Sequence, residues 1–361
     1  MHRCLQLADL GAGATAPNPM VGAVLVHEDR IIGEGYHQRF GQAHAEVNCL
    51  NSVSEADRKF IEQAVLYVSL EPCSHYGKTP PCADLIVEHK IPQVVIGSPD
   101  PFPKVNGAGI RKLREAGVFV QTGILQEKCD EMNKRFMVFH LQKRPYIILK
   151  WAEKNGVIGS LKERLLISNS LSNRLVHKWR SEEAAIMVGT NTALYDNPQL
   201  SNRHWNKSDD RSWSPLYKPT RIIIDLTLRL PHTLNVFDKS VPTVIINYQR
   251  DGGDHNLLFV QIDRDREVPV QICEKLYELN LQSVIIEGGR QLLQTFIDAQ
   301  LWDEARVITG SGTLSFKDAS QLVLAPVLLN ALPGKKCMLR DDMVAYYINK
   351  NSLSINKYPE A

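Results

Sequence analysis

The residues best suited to chemistry are His44 and Glu46, in the run His44-Ala45-Glu46, and two later cysteines, Cys73 after Pro72 and Cys82 after Pro80-Pro81. One imidazole and two thiolates form a donor set for zinc, and three protein donors leave the fourth tetrahedral position to water. Zinc lowers the pKa of such a water from about 15.7 to roughly 7, which provides a nucleophile at neutral pH. Glu46 has no place in a shell that water completes. It reads as a proton carrier that takes a proton from water and hands it to a leaving group. The chemistry this set suits is hydrolytic removal of an amine from a ring carbon.

The elements that must position these groups follow. Residues two apart on an ideal helix point roughly 200° apart, so His44 and Glu46 converge only if they sit at a helix start. A helix over 44–53 is therefore expected to begin at the site. A strand over 65–70 delivers Glu71-Pro72-Cys73 at its end, and Pro80-Pro81 suits the start of a helix near Cys82. Taken singly, a cysteine is more often a small buried hydrophobe; the order and the proline flanks give the group its weight. His75, inside the spacer, is a spare imidazole and an alternative ligand. The pattern has the form of the His-x-Glu and Pro-Cys-x-x-Cys signature of zinc deaminases, with eight residues between the cysteines instead of two.

Four runs together carry a specific resemblance: Ala16-Pro17-Asn18-Pro19-Met20-Val21-Gly22, His44-Ala45-Glu46, Glu71-Pro72-Cys73-Ser74-His75, and Gly77 to Cys82. They resemble the bifunctional deaminase-reductases of riboflavin biosynthesis, whose longer cysteine spacer they share. The resemblance implies a cytidine-deaminase-like α/β/α sandwich that removes the 2-amino group of a diaminopyrimidinone ribosyl phosphate. It implies one Zn2+ on His44, Cys73 and Cys82, with Glu46 as general acid and base. Asn18 and Asp100 lie in loops where an amide and a carboxylate could read a pyrimidine edge, although loop capping is the commoner use of both. The resemblance assigns Asn18 to the substrate and leaves Asp100 with capping. Lys78 and Lys104 read as solvated.

At 361 residues the chain has room for two domains with full cores. Its 42 basic and 40 acidic residues nearly balance, and no basic run stands out, so charge does not point to nucleic acid. Seven scattered cysteines, an odd number, argue against a disulfide framework and for the cytoplasm. No apolar run approaches the roughly 18 residues of a membrane helix, and no signal-peptide pattern precedes the first helix. That helix, over 3–10, starts so abruptly that a few of its residues are expected to be missing. Gly11-x-Gly13-x-x-Ala16 formally matches a dinucleotide fingerprint but follows a helix where that motif needs a strand. Strands at 21–26 and 30–36 read as a hairpin around Glu28-Asp29, followed by a strand at 93–97 and helices at 110–116 and 126–141. Alternating strands and helices imply an α/β fold. The polar break Gln142-Lys143-Arg144-Pro145 divides domains 1–143 and 144–361.

Beyond it, strands are expected at 146–150, 185–189, 221–225, 243–246 and 283–287 and a helix at 170–180. The all-apolar strand cores predict a mainly parallel sheet covered on both faces. The polar stretch 204–219 reads as a surface insertion. Glu287-Gly288-Gly289-Arg290 follows a strand and opens a helix, where bare glycines let phosphate approach backbone N–H groups. Gly189-Thr-Asn-Thr192, Asp196, Leu200 and Arg203 form a second run, and with Arg180 it offers two guanidinium groups for phosphate.

These runs resemble the reductase half of the same family, with a dihydrofolate-reductase-like α/β fold that uses NADPH to reduce ribosyl to ribityl. By that resemblance Thr192, Asp196, Gly288, Gly289, Arg290 and Gln291 line the cofactor. Arg180, Leu200, Arg203 and Glu287 hold the substrate, a small phosphorylated pyrimidine. The chain departs from the family at Lys150 to Gly156, one residue shorter with Asn155 for aspartate. It departs again at Leu166 and Leu226, which replace a tryptophan and a small polar residue, and in 309–317, where a Pro-x-Leu-Leu-Gly run is not evident. Three readings stay open: the two-step enzyme, a zinc deaminase of another base or nucleoside with an inactive second half, and a non-catalytic zinc-stabilised nucleotide-binding protein. The last predicts a fourth protein ligand, such as His75, in place of water. Symmetric homo-oligomers are usual for enzymes of this kind, and no nucleic-acid or membrane partner is expected.

Overall fold

Hydrophobic alternation along the first strand sets the architecture of the first half. The computed structural model describes residues 1–76, 80–102, 105–160, 165–205, 218–311 and 319–352, and the chain divides into two units, Met1–Gln142 and Lys143–Asn356. Unit 1 runs α1 (His2–Asp9), β1 (Gly22–His27), β2 (Arg30–Tyr36), α2 (Ala45–Asn51), β3 (Val65–Leu70), α3 (Cys82–Glu88), β4 (Gln93–Ser98), α4 (Ala108–Glu115), β5 (Phe119–Gln121), α5 (Gln126–Met132) and α6 (Lys134–Gln142). Its sheet has the order β2-β1-β3-β4-β5, antiparallel in its first two pairings and parallel in its last two. Ala23 and Leu25 of β1 join Cys49 and Leu50 of α2 and Ala83 and Ile86 of α3 in one core. Val24 points the other way, onto Cys4 and Leu7 of α1. Helices thus cover both faces, as the α/β/α expectation required.

Local chemistry explains the turns that matter. Glu28 and Asp29 both take left-handed φ, 46° and 61°, the conformation of a two-residue type I′ hairpin turn. A Cβ on Gly35 of β2 would lie 2.2 Å from the Cys49 nitrogen, so bare backbone lets α2 lie directly on the hairpin. The single helix expected over 126–141 is two. It breaks at Asn133, whose side chain accepts from Met20 N at 2.8 Å and donates to Met20 O at 2.9 Å. That amide ties down the loop carrying Asn18.

Unit 2 contains β6 (Tyr146–Glu153), β7 (Val157–Ser160), α7 (Ser170–Glu182), β8 (Ala185–Gly189), α8 (Thr190–Asp196), β9 (Thr220–Ile224), β10 (Thr243–Asn247), β11 (Gly252–Asp254), β12 (Leu257–Gln261), α9 (Val268–Glu278), β13 (Ser283–Glu287), α10 (Arg290–Asp298), β14 (Glu304–Thr309), β15 (Leu322–Leu324), β16 (Ala331–Leu339) and β17 (Asp342–Asn349). The main sheet has the order β11-β12-β10-β9-β8-β13-β6-β14-β17-β16. From β12 to β14 every pairing is parallel, and the antiparallel pairings lie at the two edges. Ile147, Met187, Ile222 and Ile286 pack with Ile272 and Leu276 of α9 and Phe296 of α10. Ile148, Ile186, Ile223 and Ile285 alternate with them and are just as buried, so both faces are covered, as the apolar runs predict.

The departure at Lys150 to Gly156 has a structural form. Asn155 and Gly156 take φ of 52° and 74°, and Lys154 and Val157 bridge across them. The shortened segment is a two-residue Asn-Gly hairpin turn between β6 and β7. All seven cysteines are free thiols. Among the described residues no helix is long and apolar enough to cross a membrane. Most of the 204–219 insertion, Lys78, Lys104 and most of 309–317 lie outside the described residues.

Candidate active sites

In unit 1 the helix start predicted for His44 is present. His44 is the N-cap of α2 with extended backbone, φ −72° and ψ 167°, and Glu46 falls in the first turn, so the two side chains share the helix end. Cys73 follows β3, and Cys82 opens α3 behind Pro81. His44 Nδ1 lies 3.6 Å from Cys73 Sγ and 3.4 Å from Cys82 Sγ. With zinc–sulfur and zinc–nitrogen bonds of about 2.3 and 2.0–2.1 Å, tetrahedral geometry requires roughly 3.6 Å between such donors. The triad fits zinc. Among the described residues the cluster holds three donors; His75 is outside it, with its ring 5.9 Å from Phe102. The Cys82 N–H donates to Cys73 Sγ at 3.3 Å. The Cys82 thiol, the His44 ring and that N–H together pull Cys73 down to about 4, against the opposing effect of burial. Glu46 is 4 % exposed. Burial first, then the Cys73 charge, pushes it up to about 6, within reach of proton exchange near neutrality.

Asn18 is held by a residue that sequence reasoning missed. His37 is buried, and its Nδ1 lies 3.0 Å from the Ala43 carbonyl, so that nitrogen carries the proton. Its Nε2 then accepts from Asn18 Nδ2 at 3.1 Å, which leaves the Asn18 oxygen for a ligand. Burial lowers the His37 pKa and keeps the ring neutral. Nothing in the Gly35-Tyr36-His37 context signals this, because the partner is a backbone carbonyl. Asp100 caps its own loop, accepting from Phe102 N at 2.8 Å, and burial pushes its carboxyl up to about 7.

Unit 2 has a cleft of ≈ 1430 Å³ at the carboxyl ends of its parallel strands, and all ten residues expected to bind cofactor or substrate line it: Thr192, Asp196, Gly288, Gly289, Arg290, Gln291, Arg180, Leu200, Arg203 and Glu287. Such a crevice is where open α/β sheets take ligands. Glu287 ends β13 opposite Lys150 of β6 in register. Arg180 forks onto Glu287 with Nε–Oε1 2.6 Å and Nη2–Oε2 2.7 Å, and Lys150 Nζ stands 3.8 Å away. Burial opposes ionisation of Glu287, yet the Arg180 and Lys150 cations outweigh it and hold the carboxyl at about 2. The guanidinium expected to be open to phosphate is therefore engaged; its remaining Nη1 donates to Ser201 O at 3.3 Å. Arg203 is exposed, with Nη1 on Gln199 at 2.5 Å. Gly288 and Gly289 take φ of 86° and 74° and lead into α10 beside Thr192, whose hydroxyl a Gly289 Cβ would meet at 3.1 Å. Leu166, in the place of the family tryptophan, is an exposed apolar residue of the same wall.

Comparison with known proteins agrees with both halves. Residues 1–98 match the family model of the cytidine and deoxycytidylate deaminase zinc-binding region, and 152–323 match the RibD C-terminal domain. The riboflavin biosynthesis protein RibD of Aquifex aeolicus is 36% identical over 316 residues, 84% of this chain and 83% of its own. That of Escherichia coli is 32% identical over 91% of each chain. The solved diaminohydroxyphosphoribosylaminopyrimidine deaminase/5-amino-6-(5-phosphoribosylamino)uracil reductase of Thermotoga maritima superposes with a TM-score of 0.79 at 31% identity, covering 97% of both chains. Acinetobacter baumannii RibD gives 0.82 at 29% identity over 96% of this chain and 97% of its own. By this end-to-end likeness the chain belongs to the RibD family: it is a bifunctional deaminase and reductase of riboflavin biosynthesis whose cofactors are Zn2+ and NADPH.

Proposed function

We propose that unit 1 removes the 2-amino group of 2,5-diamino-6-(ribosylamino)-pyrimidinone 5′-phosphate and that unit 2 reduces the ribosyl group of the product to ribityl. The observation that carries the first half is the donor triad with Glu46 at the same helix end. His44 Nδ1, Cys73 Sγ and Cys82 Sγ would hold zinc, which when bound would supply Lewis acidity to a water. Glu46 takes a proton from the attacking water and delivers it to the departing amine, from its place in the first turn beside His44. Asn18, oriented by His37, hydrogen-bonds the edge of the pyrimidine.

In unit 2 NADPH supplies the hydride. The backbone N–H groups after Gly288 and Gly289, together with Thr192, Asp196, Arg290 and Gln291, hold its phosphates and riboses at the start of α10. Arg203 takes the substrate phosphate. Arg180, Glu287 and Leu200 fix the ribose. Reduction places hydride on C1′ and needs a proton at the ring oxygen as the C1′–O bond opens. Lys150 Nζ, whose pKa burial lowers, is the donor next to Glu287.

The test supplies zinc-loaded protein with the diaminopyrimidinone ribosyl phosphate and follows ammonia release and NADPH oxidation together. Ammonia followed by NADPH loss is expected. Ammonia without NADPH loss would refute the reductase assignment, and no ammonia would refute the deaminase assignment.

A further inference from the structure

Glu71 is a buried carboxylate, 3 % exposed, that touches no ligand position. It ends the strand that delivers Cys73, and it accepts four backbone N–H groups from a segment far along the chain. Oε2 takes those of Asp100 at 3.2 Å and Gly107 at 3.1 Å, and Oε1 takes those of Gly109 at 2.9 Å and Ile110 at 3.2 Å. Four donors fill the lone-pair sites of one carboxylate. A Cβ on Gly109 would lie 2.0 Å from the Pro72 carbonyl oxygen, so the same segment is pressed against the cysteine loop. Phe102 makes a second tie, its ring 5.9 Å from His75 and 5.1 Å from His140.

We propose that Glu71 is a positioning residue for deamination: it fastens the backbone at Asp100 and Gly107 to the strand end that leads into Cys73, so that these points move as one body. The inference rests on the deaminase reading of unit 1. The two carboxylate oxygens divide the work, Oε2 holding the loop and Oε1 the start of α4. A glutamine keeps only one acceptor oxygen. Facing the shorter Gly109 contact, it would keep α4 and release the loop.

The experiment measures site-resolved amide hydrogen exchange and steady-state deamination on the zinc-loaded full chain and on Glu71→Gln. In the variant, the Asp100 and Gly107 amides are expected to exchange at least about tenfold faster while those of Gly109 and Ile110 stay protected, as loss of a charged acceptor implies. KM for the diaminopyrimidinone is expected to rise about tenfold with kcat little changed, at one zinc per chain and with undiminished NADPH oxidation on already deaminated substrate. Faster exchange with an unchanged KM would overturn the proposal, and so would a loss of zinc that accounts for the whole effect. If Glu71→Gln does not fold, the wild-type protein decides. Asp100 and Gly107 amides that exchange as freely as exposed ones would overturn the clamp. Absence of ammonia from the wild-type chain would instead refute the deaminase reading and leave the exchange result standing.

Discussion

Replacing Glu287 with glutamine should cost unit 2 about 3 kcal/mol at pH 7, and two independent routes give that figure. Glu287 is held at about 2 against an ordinary 4.5, a difference of about 2.5 pKa units, or roughly 3 kcal/mol at about 1.4 per unit. Breaking a buried ion pair by removing one partner costs about 3–5 kcal/mol, and Arg180 and Lys150 would be left as buried cations. The sign with pH follows from the depressed value. The stabilisation is complete above about 4.5 and is lost as pH falls toward about 2, so the gap between wild type and variant should shrink from about 3 kcal/mol at pH 7 to about 1 at pH 3. All five tryptophans, at 151, 179, 205, 213 and 302, follow residue 142 and so belong to unit 2. Urea unfolding followed by tryptophan fluorescence therefore reports unit 2 alone. Equal urea midpoints at pH 7, or a gap that stays constant down to pH 3, would refute the reasoning.

Other substitutions test the rest of the molecule. Glu46→Gln should keep one zinc per chain and lower ammonia release about 10²–10⁴-fold; retained deamination in that variant would remove Glu46 from the proton path. Chelating zinc should abolish ammonia release while NADPH oxidation on already deaminated substrate continues, measured on one sample in both channels. Asn155→Ala, at φ 52° in the β6–β7 turn, should destabilise unit 2 by about 1 kcal/mol, read by the same fluorescence unfolding. An unchanged midpoint there would show that the turn tolerates any residue.

The meeting of His44, Cys73 and Cys82 was legible because donor type, proline flanks and the requirement for a helix start all constrain the same few positions. The apolar strands of the parallel sheet were legible because both faces are buried and no alternation blurs them. Strand β14 was not, since Glu304 and Arg306 are buried in an ion cluster with Glu183 and read as surface charges. Strand β16 was hidden by Pro333-Gly334-Lys335-Lys336, residues that suit an exposed sheet edge. The engagement of Arg180 with Glu287 was equally out of reach, because 107 positions separate the partners. Sequence could nominate both residues for one cleft but not show that they neutralise each other there. The clamp by Glu71 depends on backbone donors 29 to 39 positions away, which carry no side-chain signature.

The amide of Asn133 reaches back 113 positions to the backbone of Met20. The loop that carries Asn18 thus precedes every strand of the first sheet, while its anchor follows all of them. A fragment that stopped after β5 would contain His44, Glu46, Cys73 and Cys82 and still lack the side chain that fastens the loop of Asn18. The stretch that contains the candidate metal donors is therefore shorter than the stretch that contains the candidate substrate contact together with its anchor, and the difference is made up by the helices on either side of Asn133.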